Sequence, residues 1–140
     1  MAAFKFVIAE KGKCYQIEKD QKDCEALLGL KIGSKIPGDV LGMAGYEFQI
    51  TGGTDIDGFP MRKDVDGTVK KRMLLKRSVG FGGKKRKKKK LFKIKGMRKG
   101  KTIRGNTIDE HIAQINCKVI KRGEKNLEEF VEKEGKKDKK

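Results

Sequence analysis

From Gly67 to Ile108 the chain runs 42 residues without one Asp or Glu, while carrying 18 Lys and Arg. At the centre of this stretch Lys84 to Lys90 reads KKRKKKK, seven cations in succession. Unpaired charge is too costly to bury, so this segment is confined to a surface and the core must come from elsewhere. The other 98 residues hold 18 basic and 19 acidic side chains, which makes them close to neutral. The formal net charge of +17 on 140 residues therefore belongs to one segment. Such a surplus destabilises the compact state by self-repulsion, and a polyanionic partner relieves it. A free-standing enzyme acting on small neutral substrates is disfavoured; nucleic acid or an anionic surface is favoured.

A core remains feasible. Leu, Ile, Val and Phe number 34, or 24% of the chain, enough for one modest hydrophobic core in a single domain. Ile and Val together outnumber Leu 19 to 8, and Gly contributes 18 residues. β-Branched residues suit a pleated surface and glycines mark turns and bulges, so the expected class is mainly β. No apolar run is long enough to span a bilayer, and AFKFVIAEKGK lacks the length and cleavage pattern of a signal peptide. Cys14, Cys24 and Cys117 are odd in number and lack framework spacing, which reads as reduced cytosolic thiols.

Strands are expected at Ala3 to Ala9, where Phe4, Phe6 and Ile8 share one face, and at Cys14 to Glu18 after a Lys11-Gly12-Lys13 turn. Cys24 to Leu30 fits a short helix or a buried strand, and Lys35 to Leu41 a short or edge strand, because it contains Pro37 and Gly38. Tyr46 to Thr51 reads as a strand closed by Gly52-Gly53. Val69 to Arg77 places Val69, Met73 and Leu75 on one face; Thr102 to Arg104 and Cys117 to Lys121 complete the strands. Two capping boxes predict short helices: Thr107 with Glu110, where Ile108, Ile112 and Ile115 would share one helical face, and Asn126 with Glu129 before Leu127, Phe130 and Val131. The closing EGKKDKK is expected to be a solvated tail.

The acid-free segment supplies the candidate binding residues: Lys70, Lys71, Arg72, Lys76, Arg77, Lys84, Lys85, Arg86, Lys87, Lys88, Lys89, Lys90, Lys93, Lys95, Arg98, Lys99, Lys101 and Arg104. Gly80, Gly82 and Gly83 loosen the backbone ahead of the lysine run, which is expected to be an extended, mobile loop. Cations of this kind release counterions from phosphates, the main sequence-independent source of nucleic-acid affinity. A membrane fits less well, because no broad apolar helical face accompanies the charge. No helix-turn-helix, zinc finger or basic zipper pattern is present. With 9 aromatic residues and no Trp, base stacking cannot be the main mode, and backbone and shape recognition of folded RNA fits best.

Other chemistry is imitated without being supplied. Gly96-Met97-Arg98-Lys99-Gly100-Lys101-Thr102 is one residue short of a phosphate-binding loop and leads into a β-like stretch where that motif needs a helix. Phosphoryl transfer would rest on that truncated loop alone. Asp55-Ile56-Asp57-Gly58 imitates part of a calcium loop, but Gly53 and Asp64 occupy positions that need carboxylate and Glu ligands. His111 is the sole histidine, no CxxC pair exists, and Ser34 and Ser78 sit in no nucleophile motif. The sequence gives no catalytic constellation, no metal site and no cofactor.

The string GYEFQITGGTDIDGFPM, from Gly45 to Met61, carries a specific likeness. Together with RMLLKRSVGF (Arg72 to Phe81), RKGKTIRGNTI (Arg98 to Ile108) and INCKVIKRGEK (Ile115 to Lys125), it closely resembles the small-ribosomal-subunit protein six family of archaeal and eukaryotic type. The resemblance covers roughly the first 125 residues. It implies a single compact, partly open β-barrel-like domain over residues 1–125, followed by a short helix and lysine-rich tail over 126–140. It further implies a structural, non-enzymatic constituent of the small subunit, cytoplasmic and ribosome-bound, with ribosomal RNA and neighbouring ribosomal proteins as partners. Gly52, Gly53, Gly58 and Pro60 resemble the family's turn formers, and RNA contact carries over to Arg98, Lys99, Lys101 and Arg104. At Lys84 to Lys90 only the basic character carries over. Eukaryotic members continue into a long basic extension with phosphorylated serines; this chain resembles the shorter archaeal form, to which that signalling is not expected to transfer. The competing expectation is a free nucleic-acid-associated protein, chromatin-like or an RNA chaperone.

Overall fold

Strand β1 (Ala3–Glu10) sets the architecture, because its alternating Phe4, Phe6 and Ile8 are all fully buried. Each such side chain contributes roughly 1.5–3 kcal/mol over an exposed one. These strands belong to a computed structural model that describes residues 3–135; the expected tail lies outside those residues from 136 onward. β2 (Lys13–Asp20) returns antiparallel, with Glu10 opposite Lys13. The two connecting residues, Lys11 and Gly12, both have positive φ (47° and 83°), the mirror-image turn that matches strand twist in a two-residue hairpin.

A 3-10 segment over Gln21–Leu27 buries Cys24 and Leu27, which resolves the helix-or-strand ambiguity there. Short β3 (Lys35–Pro37) precedes a second 3-10 turn, Gly38–Leu41. β4 (Glu47–Asp55) then pairs with β3 on one side. Gly52 and Gly53 do not close this strand, as the sequence reading expected, nor do they form a turn. They lie inside it, beside a register shift between Ile50 and Gly52. A Cβ on Gly53 would overlap the Gln114 carbonyl of the neighbouring strand, so the glycine permits close backbone approach.

The remaining elements are β5 (Lys70–Leu75), β6 (Lys84–Lys87), β7 (Lys90–Lys93), β8 (Lys99–Arg104), β9 (Ile112–Lys121) and α1 (Leu127–Gly135). The helix expected after Thr107 is absent: Ile112 and Ile115 belong to β9. Their spacing satisfies a helical face, but β9 is held by ladders on both sides, parallel to β1 and antiparallel to β4. Its β-branched side chains suit that position, and the Asp109 carboxylate accepts the His111 N–H at 3.1 Å to form the preceding turn. The second capping box does open a helix, α1, with Leu127 buried. Its Glu128 receives Lys13 at 2.9 Å and Tyr15 at 3.1 Å from β2.

The main sheet has the order β2-β1-β9-β4-β3, and β5-β8 and β6-β7 form two further two-stranded ribbons. The principal core lies against the main sheet; a smaller cluster of Leu75, Phe81 and Ile103 lies against the β5-β8 ribbon. Residues 60–62 join the two parts. Met61 N–H donates to Gly53 O, while Arg104 N–H donates to Pro60 O and Arg62 N–H to Arg104 O. The result is mainly β, open and barrel-like, without a closed barrel among the described residues.

Candidate nucleic-acid interface

The acid-free segment folds as two antiparallel ribbons. β5 and β8 pair from Lys70 opposite Arg104 to Leu75 opposite Lys99, and their apolar residues build the smaller core. Val69, expected on that buried face, precedes the strand and is exposed. The lysine run is not an extended loop. Lys84–Lys87 and Lys90–Lys93 form a hairpin around Lys88 and Lys89, with every residue exposed. Lys84 faces Lys93 and Lys87 faces Lys90, so like charges sit directly opposite each other. Such pairs are destabilising in a sheet, and a polyanion laid along the hairpin would remove the penalty.

Of the eighteen expected binding residues, sixteen are exposed, Lys101 is half-buried and Arg104 is buried; Lys70 and Arg104 stand apart through their ion pairs. Lys71, Arg72, Lys76, Arg77, Lys84 to Lys90, Lys93, Lys95, Arg98 and Lys99 are all surface residues. Arg72 lies across Gly100, and the stem of Arg77 packs on Gly83. Lys70 is ion-paired to Asp57 and sits 4.7 Å from the centre of the Phe59 ring. The hydrogen bond from Lys70 holds the Asp57 carboxyl below its usual range, with the lysine charge adding to the effect.

Arg104 departs furthest from the expectation of RNA contact. Its residue is 8% exposed, and its guanidinium lies 3.4 Å from both Asp55 and Asp109 while donating to Thr68 O at 3.0 Å. Asp55 in turn accepts the N–H groups of Asp57 and Phe59, each at 2.9 Å. The calcium-loop look-alike is thus a carboxylate-anchored turn serving a buried ion pair. In the phosphate-loop look-alike, Gly96 (φ 74°) turns the chain into strand β8, not into a helix.

The sequence reading passed over a second basic concavity. Lys121, Lys125 and Gly123 line a 590 Å³ hollow between the end of β9 and α1, with Phe130 at its side. The signal was present in Lys121-Arg122-Gly123-Glu124-Lys125, diluted by Glu124 and by the pairing of Arg122 with Glu10 at 3.4 Å. Among the described residues no group of His, Cys, Asp and Glu is placed to hold a metal, and no helix is long and apolar enough to cross a membrane.

Comparison with known proteins bears on both the core and the basic ribbons. Residues 4–132 match the family model described as Ribosomal protein S6e. Small ribosomal subunit protein eS6 of Methanocaldococcus jannaschii is 46% identical over 137 residues, covering 96% of this chain and 95% of the relative. The proteins of the same name from Methanosphaera stadtmanae and Methanothermobacter thermautotrophicus are each 45% identical, over 91% and 92% of this chain and 91% and 95% of the relatives. These relatives are named as ribosomal proteins and not as enzymes. A match that runs from β1 into α1 and includes the whole acid-free segment makes the chain a member of the ribosomal protein S6e family.

Proposed function

We propose that this protein is a structural constituent of the small ribosomal subunit, cytoplasmic and ribosome-bound, that holds ribosomal RNA mainly through phosphate contacts. The carrying observation is the set of surface cations in the acid-free segment that have no carboxylate partner among the described residues. Sixteen of the eighteen expected residues remain available for phosphate; Lys70 and Arg104 are engaged within the protein. The β5-β8 ribbon supplies a packed base and the β6-β7 hairpin extends the charge beyond it. The RNA-binding domain spans residues 1–125, and the near-neutral main sheet is the surface offered to neighbouring ribosomal proteins. Extended basic ribbons fit the backbone and wide minor groove of folded RNA.

Sedimentation of the endogenous protein through salt-containing gradients tests this reading. It should remain with small subunits at moderately high salt. Release into the soluble pool under those conditions would favour a factor that cycles on and off nucleic acid.

A further inference from the structure

The foot of the basic hairpin carries a concavity that phosphate binding alone does not use. Lys76 and Arg77 on one side, and Lys93 and Lys95 on the other, flank a cleft of 380 Å³. That volume falls within the ~300–1,000 Å³ of small-ligand sites. Its apolar walls are Ile94, which is 44% exposed, and Met97. Gly83 and Gly96 complete the lining, so bare backbone borders the opening.

The cleft has structural support. Ile94 N–H donates to Gly83 O at 3.2 Å and Met97 N–H to Ile94 O at 3.4 Å. Met97 also packs against the cluster of Leu75, Phe81 and Ile103, which ties the apolar wall to the smaller core. Four cations without an apolar wall would suit phosphate alone, and an apolar wall without cations would suit a hydrophobic side chain. Both together match a nucleotide, whose flat base seeks apolar or thioether surface while its flanking phosphates seek cations.

We propose that this cleft receives one unstacked nucleotide of the bound RNA, its base against Ile94 and Met97 and its phosphates on Lys76, Arg77, Lys93 and Lys95. The inference rests on the RNA-binding reading and adds a preference to it. A paired base cannot enter the cleft without leaving its stack, which costs a few kcal/mol, whereas a bulged base pays much less. The occupant is therefore a bulge or loop nucleotide within an otherwise helical RNA.

The test uses the full chain and two RNA duplexes with matched phosphate number, one fully paired and one with a single unpaired purine in one strand. Fluorescence anisotropy at one salt concentration gives both dissociation constants. The bulged RNA should bind about tenfold tighter, as expected for moderate apolar burial on the base. Ile94→Ser lies outside both core clusters and should reduce the bulged RNA to the affinity of the paired one, leaving the paired RNA unchanged. Equal affinities in the wild type, or a preference that survives Ile94→Ser, would overturn the cleft assignment while leaving phosphate binding intact. Failure of both RNAs to bind would instead remove the RNA reading, and the cleft assignment with it.

Discussion

Replacing Arg104 with methionine separates a structural arginine from an RNA-binding one. The guanidinium lies between Asp55, whose side chain is 1% exposed, and Asp109, whose side chain is 21% exposed. Removing it leaves the Asp55 charge buried without a cation. Breaking a buried ion pair from one side costs about 3–5 kcal/mol. Two features hold the expectation at the lower end. Asp55 keeps the N–H groups of Asp57 and Phe59 at 2.9 Å, and Arg104 Nε faces Asp55 at 3.4 Å without hydrogen-bond alignment. Loss of the 3.0 Å bond to Thr68 O adds to the cost. Arg104→Met should therefore lower unfolding free energy by about 3 kcal/mol, equivalent to roughly 10 °C in Tm. Urea denaturation of the RNA-free protein measures this, with Lys101→Met as the control on the same strand, expected to change stability by less than about 1 kcal/mol. A variant that keeps wild-type stability yet loses RNA affinity would refute the reasoning and return Arg104 to the binding surface.

Two further outcomes follow from the hairpin and the thiols. Glutamine at Lys84 to Lys90 and Lys93 should leave the fold intact, because none of these residues enters either core, and should reduce the salt slope of RNA binding by about 3 if half of them meet phosphate. Unfolding of the RNA-free variant would show instead that the hairpin supports the domain. A thiol reagent at pH 8 should label Cys14 alone in the native protein and all three cysteines in urea, because Cys24 and Cys117 are buried. Burial pushes the Cys117 thiol up to about 12, so its contribution to stability is full below the ordinary thiol range and drains away as pH rises from about 9 towards 12. Native-state labelling of Cys117 at pH 8, or a urea midpoint that rises across that alkaline range, would contradict this placement.

The parts of the fold that were legible are those where burial imposes a period. Phe4, Phe6 and Ile8 alternate because one face of β1 is fully buried, and the core confirms that face. Ile108, Ile112 and Ile115 misled for the same reason in reverse: all three are buried, but two lie on a strand whose neighbours arrive from distant parts of the chain. The lysine hairpin left no alternation to read, since cations occupy both of its faces except at Leu91 and Phe92. Arg104 is locally indistinguishable from Arg98 or Lys101. Its role is set by Asp55, a residue of β4 distant in sequence that tertiary contacts, among them the Pro60 to Arg62 connection, bring to it. Charge located the segment, and tertiary pairing decided which of its cations turned inward.

The parallel pairing of β1 with β9 also has a consequence for synthesis. Lys5 to Ala9 find their β9 partners at Gln114 to Lys118, more than a hundred residues later in the chain. A growing chain can form the β1-β2 hairpin early, but β1 has one open edge until the entire basic segment has been made. Long-range pairing of this kind is slow and leaves apolar strands exposed while it waits. The cationic ribbons thus emerge before the sheet can close. For a nascent chain, the charge that seeks a polyanion is exposed before the domain that carries it is complete.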